Sequence, residues 1–213
     1  YSQGHDWKKL IVAPRFLYDR VIDLIERERA HAEAGRPARI IVKLNALVDP
    51  GAIQALYAAS RSGVRIDLII RGICCLRPGL PDLSENIRVV SIVDKFLEHS
   101  RIAYFQNGED PEVYLTSADW MPRNFRRRVE LMFPVDDPRL KNRIVDGLLG
   151  VYLSDNVKAR LLQPDGTYLR RPIQPGEPRV RSQIEFQNMA RELSGDDTIR
   201  SGGSLPPIGL RPI

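Results

Sequence analysis

Between residues 8 and 70 the chain alternates short apolar runs with longer stretches of helical spacing, and this order restricts the fold more than any other feature. The run KKLIVA (8 to 13) reads as a buried strand. Pro14 then opens a segment to residue 34 in which Phe16, Val21, Leu24 and Ile25 fall on one helical face among Glu and Arg, until Gly35 and Pro37 close it. ARIIVKLN (38 to 45) is a second buried strand, and Asp49 before Pro50 is a good N-cap for a helix to about Ser62, stopped by Gly63. VRIDLII (64 to 70) is a third strand. Strand, helix, strand, helix, strand predicts an α/β fold with a parallel sheet, because parallel neighbours need a long right-handed crossover that a helix supplies.

After a Pro/Gly-punctuated loop (72 to 86), shorter strands are expected at 87 to 93, 101 to 106, 112 to 116 and 128 to 135. A turn is expected at Asn107-Gly108 and a break at Pro122, with helices at 137 to 152 and 179 to 193. Residues 1 to 194 form one expected domain, and 195 to 213, rich in Gly, Pro and Ser, a flexible tail. No apolar run approaches the roughly 20 residues of a membrane helix, so no membrane segment is expected. The two cysteines, Cys74 and Cys75, are adjacent, which disfavours a mutual disulfide or a metal pair and fits a reducing cytosol. No Cys/His cluster has metal-ligand spacing. The net charge of +5 and pI near 9.4 favour an anionic partner without choosing among nucleic acid, phosphate ester and polyphosphate.

Ligands of open parallel sheets bind beyond the carboxyl ends of the strands. Arg71 stands at such an end, where Gly72 lets backbone come close, and its guanidinium fork suits phosphate; a surface Arg opening a turn is the plain alternative. Lys43 and Asn45 also sit at a strand end facing this position. His99 precedes an apolar strand, and period-two alternation places it on one side with Arg101, where an imidazole beside a guanidinium can hold a phosphoryl oxygen and pass a proton. A hydrogen-bonded structural histidine fits the same spacing. In LTSADWMPRNFRRRVE (115 to 130), Ser117, Asp119 and Asn124 can orient a histidine or an anion, and Arg123, Arg126, Arg127 and Arg128 concentrate positive charge offset by carboxylates such as Glu130. The chain has no Walker loop, dinucleotide glycine fingerprint or nucleophile elbow.

KLNALVD (43 to 49), RGICCL (71 to 76), SENIRVVSIVDKFLEHSRIAYF (84 to 105) and SADWMPRN (117 to 124), in this order, closely resemble the last domain of the long-chain-forming bacterial polyphosphate kinases, over most of residues 8 to 165. The resemblance implies a phospholipase-D-like half-domain with a mixed, mostly parallel central sheet flanked by helices, facing a related preceding domain that carries the phosphate-accepting histidine. It implies that Arg71 and His99 contact nucleotide phosphates, that His99 is a proton donor or transition-state partner to the phosphohistidine, and that Arg128 matches a family arginine in the site. Against the wider phospholipase D signature, Arg101 replaces the lysine, Gln106 stands at the aspartate and Ser117-Ala118-Asp119 replaces the last element, departures that agree with the kinase branch.

The activity so implied is reversible transfer of the terminal phosphoryl of ATP to polyphosphate, with Mg2+ accompanying ATP, no specific nucleic acid, and a homo-oligomeric full-length enzyme in the cytoplasm or at the inner face of the membrane. This chain alone is then expected to bind polyanions and make no polymer. Two rivals stand beside it. A homodimeric phosphodiesterase or nuclease would lose cleavage in His99→Ala, and a non-catalytic polyanion-binding module would keep salt-dependent binding in that variant.

Overall fold

The computed structural model describes residues 9–195, so the tail expected at 195 to 213 lies almost wholly outside the described residues. A nine-stranded mixed sheet runs in the order β1-β7-β6-β5-β2-β3-β4-β8-β9. Its strands are β1 (Ile11–Ala13), β2 (Arg39–Leu44), β3 (Arg65–Ile70), β4 (Ile87–Ile92), β5 (Ile102–Phe105), β6 (Glu112–Thr116), β7 (Glu130–Pro134), β8 (Ala159–Leu162) and β9 (Tyr168–Arg170).

Period-two alternation divides the apolar side chains of the central strands between two helical layers. Ile40, Val42, Ile66 and Leu68 face α1 (Leu17–Glu33) and α2 (Pro50–Arg61), where they meet Val21, Leu24, Ile25, Ile53 and Leu56. Ile41, Ile69, Val90 and Ile102 point to the opposite layer, where Leu149, Tyr152 and Phe186 cover them. Asp49 caps α2 as expected, accepting from Ala52 N at 3.0 Å, and Gly63 ends it with φ +91°, a conformation that favours glycine.

Two features of the sheet differ from expectation. Only β2-β3 and β3-β4 pair in parallel, while the other six pairings are antiparallel, so the sheet is mixed but mostly antiparallel. The reason is that β5 takes the free edge of β2 from Ile40↔Phe105 to Lys43↔Ile102, which displaces β1 to the far side of the β5-β6-β7 meander, against β7. An apolar run announces a strand but not its neighbour.

The helical elements also differ in detail. Pro122 begins a short helix, α3 (Pro122–Arg127), where a break was expected; proline is well tolerated at a first helical position. The stretch expected as one helix over 137 to 152 is α4 (Pro138–Asn142), a π-helical segment (Arg143–Leu149) and α5 (Gly150–Ser154). Strands β8 and β9 were not anticipated, being four and three residues long between Pro- and Gly-rich turns. The last helix, α6 (Ser182–Gly195), is anchored at its first residue by Asp155, whose fully buried carboxylate accepts from Ser182 N and Ser182 Oγ, both at 2.8 Å.

Candidate functional site at the carboxyl ends of the parallel strands

The pairing directions bring the ends of β2, β3, β4 and β6 and the starts of β5 and β7 to one rim of the sheet. All nine residues expected from the sequence to serve the site lie on this rim or in the loops that leave it. Three of those loops are stitched by backbone hydrogen bonds. Leu47 N donates to Ile73 O, Cys75 N to Leu47 O and Val48 N to Trp120 O, each at 2.9 Å. Gly72 N also donates to Asn45 O at 2.9 Å, and a Cβ on Gly72 would stand 2.7 Å from that oxygen. The glycine is thus required for approach of protein backbone, one step removed from the ligand approach that the sequence suggested.

On this frame, five of the nine residues join in a single hydrogen-bonded chain. Arg71 donates from Nε to Asn45 Oδ1 at 2.6 Å and to Glu98 O at 2.7 Å. Asn45 N donates to Asp119 Oδ1 at 2.7 Å, as does Ala46 N at 3.2 Å. Asp119 also receives Arg101 as a two-pronged pair, Nε at 2.9 Å and Nη2 at 3.0 Å, while Arg101 Nη1 donates to His99 O at 3.1 Å. Both Arg71 bonds use Nε, so its terminal nitrogens have no hydrogen-bond partner among the described residues. The imidazole of His99 is exposed and likewise makes no hydrogen bond to the described residues. Asn45 Nδ2 is a buried donor with no partner among the described residues.

Asp119 and Lys43 carry opposite electrostatic burdens here. Burial pushes the Asp119 carboxyl up, but the bonds from Arg101, Asn45 N and Ala46 N outweigh it and hold the group below the ordinary carboxylate range. Lys43 points from β2 into the opposite layer, buried, with Nζ 3.2 Å from Glu98 Oε2, 3.3 Å from Ser100 O and 4.8 Å from the centre of the Tyr152 ring. Its burial pulls the ammonium below its usual value, against the partial support of Glu98. A cavity of about 10 Å³, room for about one water, lies between Lys43, Arg71, Glu98 and Tyr152.

The remaining predicted residues do other work. Ser117 and Asn124 were expected to orient a histidine or an anion, but both bind Glu130: Ser117 Oγ donates to Oε2, and Asn124 Nδ2 donates to Oε1 at 2.6 Å. They fix the α3-β7 junction, because Glu130 is buried and needs donors. Arg123 and Arg128 are exposed, one on α3 and the other at its end, and no hydrogen bond joins either to the Arg71-Arg101 chain. Arg126 is drawn away, stacking 5.1 Å from the centre of the Tyr18 ring. Tyr152 and Gln183, which touch Glu98, had no signal in the sequence because they arrive from helices far along the chain.

A groove of about 400 Å³ opens at the opposite rim of the sheet. It is lined by Lys9, Arg20 and Lys141 but equally by Asp110, Glu112 and Asp136, a balance unsuited to a polyanion. The carboxylates of the candidate site are all engaged by cations or hydrogen-bond donors, and no group of three His, Cys, Asp or Glu residues among those described is arranged to hold a metal. The described residues of the candidate site therefore do not fit a magnesium ion.

The family model for the polyphosphate kinase C-terminal domain 2 matches residues 10–183. The chain belongs to the polyphosphate kinase family. The polyphosphate kinase of Synechocystis sp. is 50% identical over 202 residues, which cover 94% of this chain and 28% of that protein. Polyphosphate kinase 1 of Chlorobaculum tepidum is 53% identical over 186 residues, 87% of this chain and 26% of the relative. The chain thus spans under a third of these relatives, whose activity belongs to much longer proteins. The crystal structure of polyphosphate kinase from Porphyromonas gingivalis matches with a TM-score of 0.83 at 40% identity, over 92% of this chain and 29% of that one. Nuc from Salmonella typhimurium, a phospholipase D family member, matches with a TM-score of 0.54 at 13% identity, over 73% of this chain and 97% of that one, a likeness of fold alone. The chain thus shares the fold of the polyphosphate kinase structure and, as fold alone, that of the phospholipase D family member.

Proposed function

We propose that this chain is the C-terminal part of an ATP:polyphosphate phosphotransferase and supplies the phosphate-holding half of its site. The observation that carries the reading is Arg71: its Nε is tied to Asn45 Oδ1 and Glu98 O, so its two Nη groups are held as a preformed fork without a carboxylate partner. Asp119 in turn restrains Arg101, which is 19% exposed in its side chain, and Arg123 and Arg128 add positive field at the same rim. Phosphoryl transfer through a loose transition state requires alignment and positive charge more than covalent machinery, and fixed guanidinium groups supply both. His99 then acts as proton donor or transition-state partner, its imidazole exposed and its backbone fixed by Arg101.

On this reading the phosphate-accepting histidine lies on a preceding domain outside this chain, and ATP and polyphosphate are the partners. Magnesium would be held by the phosphates of ATP and by groups beyond the described residues, where it would offset phosphate charge. The reading extends to a homo-oligomeric enzyme working in the cytoplasm or at the inner face of the membrane, with residues 1 to 194 as one unit. Among the described residues no helix is long and apolar enough to cross a membrane.

Calorimetric titration of tripolyphosphate into this chain and into Arg71→Ala at one fixed salt concentration tests the proposal. Binding that falls at least about tenfold in the variant, a loss of about 1.4 kcal/mol, is expected. Equal binding by both chains would remove Arg71 from the site.

A further inference from the structure

We infer that Gln183, with Arg181 beside it, is a positioning residue that sets His99 through the loop between β4 and β5; this rests on the reading of His99 given above. That loop has little apolar anchorage of its own. Val93, Phe96 and Leu97 are 69%, 49% and 72% exposed, and His99 and Ser100 are exposed as well. What holds the loop comes from α6. Gln183 is buried at 5% exposure, and its amide grips the loop at three points. Oε1 accepts from Phe96 N at 2.8 Å, while Nε2 donates to Phe96 O at 2.8 Å and to Glu98 Oε1 at 2.9 Å. One turn of chain earlier on the loop, Asp94 receives Arg181 through Nε at 2.7 Å and Nη2 at 2.6 Å.

The grip passes directly to the site. Glu98, held by Gln183 on one oxygen and by Tyr152 and Lys43 on the other, presents its carbonyl to Arg71 and precedes His99 in the chain. A side-chain amide that satisfies both backbone groups of Phe96 acts as a substitute strand neighbour where the sheet has ended. Its loss leaves the part-buried N–H and C=O of Phe96 without their side-chain partner and loosens the segment that carries His99. The start of α6 is itself fixed from below by Asp155, so the restraint runs from the core to the loop rather than the reverse.

The test uses a full-length polyphosphate kinase bearing this sequence as its C-terminal part, with ATP-dependent polymer formation as readout. Gln183→Leu, similar in size but without the amide, is expected to lower kcat about 10- to 100-fold with KM for ATP changed by about twofold or less, as for a reacting group displaced by an ångström. In a His99→Ala background the same substitution is expected to cost less than about twofold, because its effect is exerted through that imidazole. Arg181→Gln, at the surface, keeps the test open should Gln183→Leu not fold, and is expected to show a smaller kcat loss that also vanishes without His99. Losses that multiply with that of His99→Ala, or a fall in kcat/KM due to KM alone, overturn the inference. Should His99→Ala retain full activity, the assignment of His99 itself fails, a distinct result.

Discussion

Replacing Asp119 by Ala removes the hub on which the site turns. Its carboxylate, 11% exposed, takes two bonds from Arg101 and one each from Asn45 N and Ala46 N. A fully buried ion pair broken on one side costs roughly 3–5 kcal/mol, and Arg101, at 19% exposure, can recover part of its hydration, which leaves about 2 kcal/mol. Two amides deprived of their acceptor add about 1 kcal/mol each, the low end of the range for unsatisfied buried donors. The sum, about 4 kcal/mol, corresponds to a fall in Tm of roughly 8–16 °C for a chain of this size. Urea unfolding at pH 7, monitored by circular dichroism, measures it directly. The pH dependence gives an independent check. Because the folded carboxyl is held below its unfolded value of about 3.9, its contribution is complete above that pH and is lost as pH falls through the folded value. The difference between the parent and Asp119→Ala should therefore narrow below about pH 4. A loss under about 1 kcal/mol at pH 7, or a difference that does not narrow in acid, would refute the hub argument.

Two further outcomes follow from the same rim. Gly72→Ala puts a Cβ 2.7 Å from Asn45 O, so the β2 and β3 loops must part; a stability loss of about 1–3 kcal/mol is expected, with weakened tripolyphosphate binding because Asn45 orients Arg71. Unchanged binding in a destabilised Gly72→Ala would separate that loop contact from the site. Burial pushes the Cys74 thiol up to about 11, whereas Cys75 is exposed, so Ellman titration of the folded chain at pH 8 should show one fast and one slow thiol. Two equally fast thiols would mean that the 72 to 76 loop is open.

The residues that act through one short segment were readable from the sequence. Arg71 at a strand end, His99 ahead of an apolar strand and the Asp49 cap all follow from local spacing, and the structure places each where that spacing put it. What escaped depends on distant parts of the chain. Lys43 shows in sequence as a charge within an apolar strand, but its partner Glu98 lies in the loop between β4 and β5, and Tyr152 and Gln183 reach that carboxylate from helices more than fifty residues further along. Asp119 was visible as a short polar group beside the arginines, yet its role differs: it holds Arg101 and the backbone after β2, leaving His99 to other restraints. The excess of antiparallel pairing was hidden for the same reason, since β5 and β1 compete for an edge of β2 that no local pattern mentions.

The π-helical segment at Arg143–Leu149 behaves as a phase shifter between the two ends of one rod. Each residue of an α-helix advances the side-chain direction by about 100°, so the extra residue accommodated in a widened turn sets the azimuth of everything after it. Tyr152, which faces Lys43 and Glu98, lies just beyond that turn. Deleting one residue there and letting the rod relax to uniform pitch would leave helical content almost unchanged but swing the phenol away from the sheet. The number of residues in this segment thus meters the aim of a group that lies beneath the rim carrying Arg71.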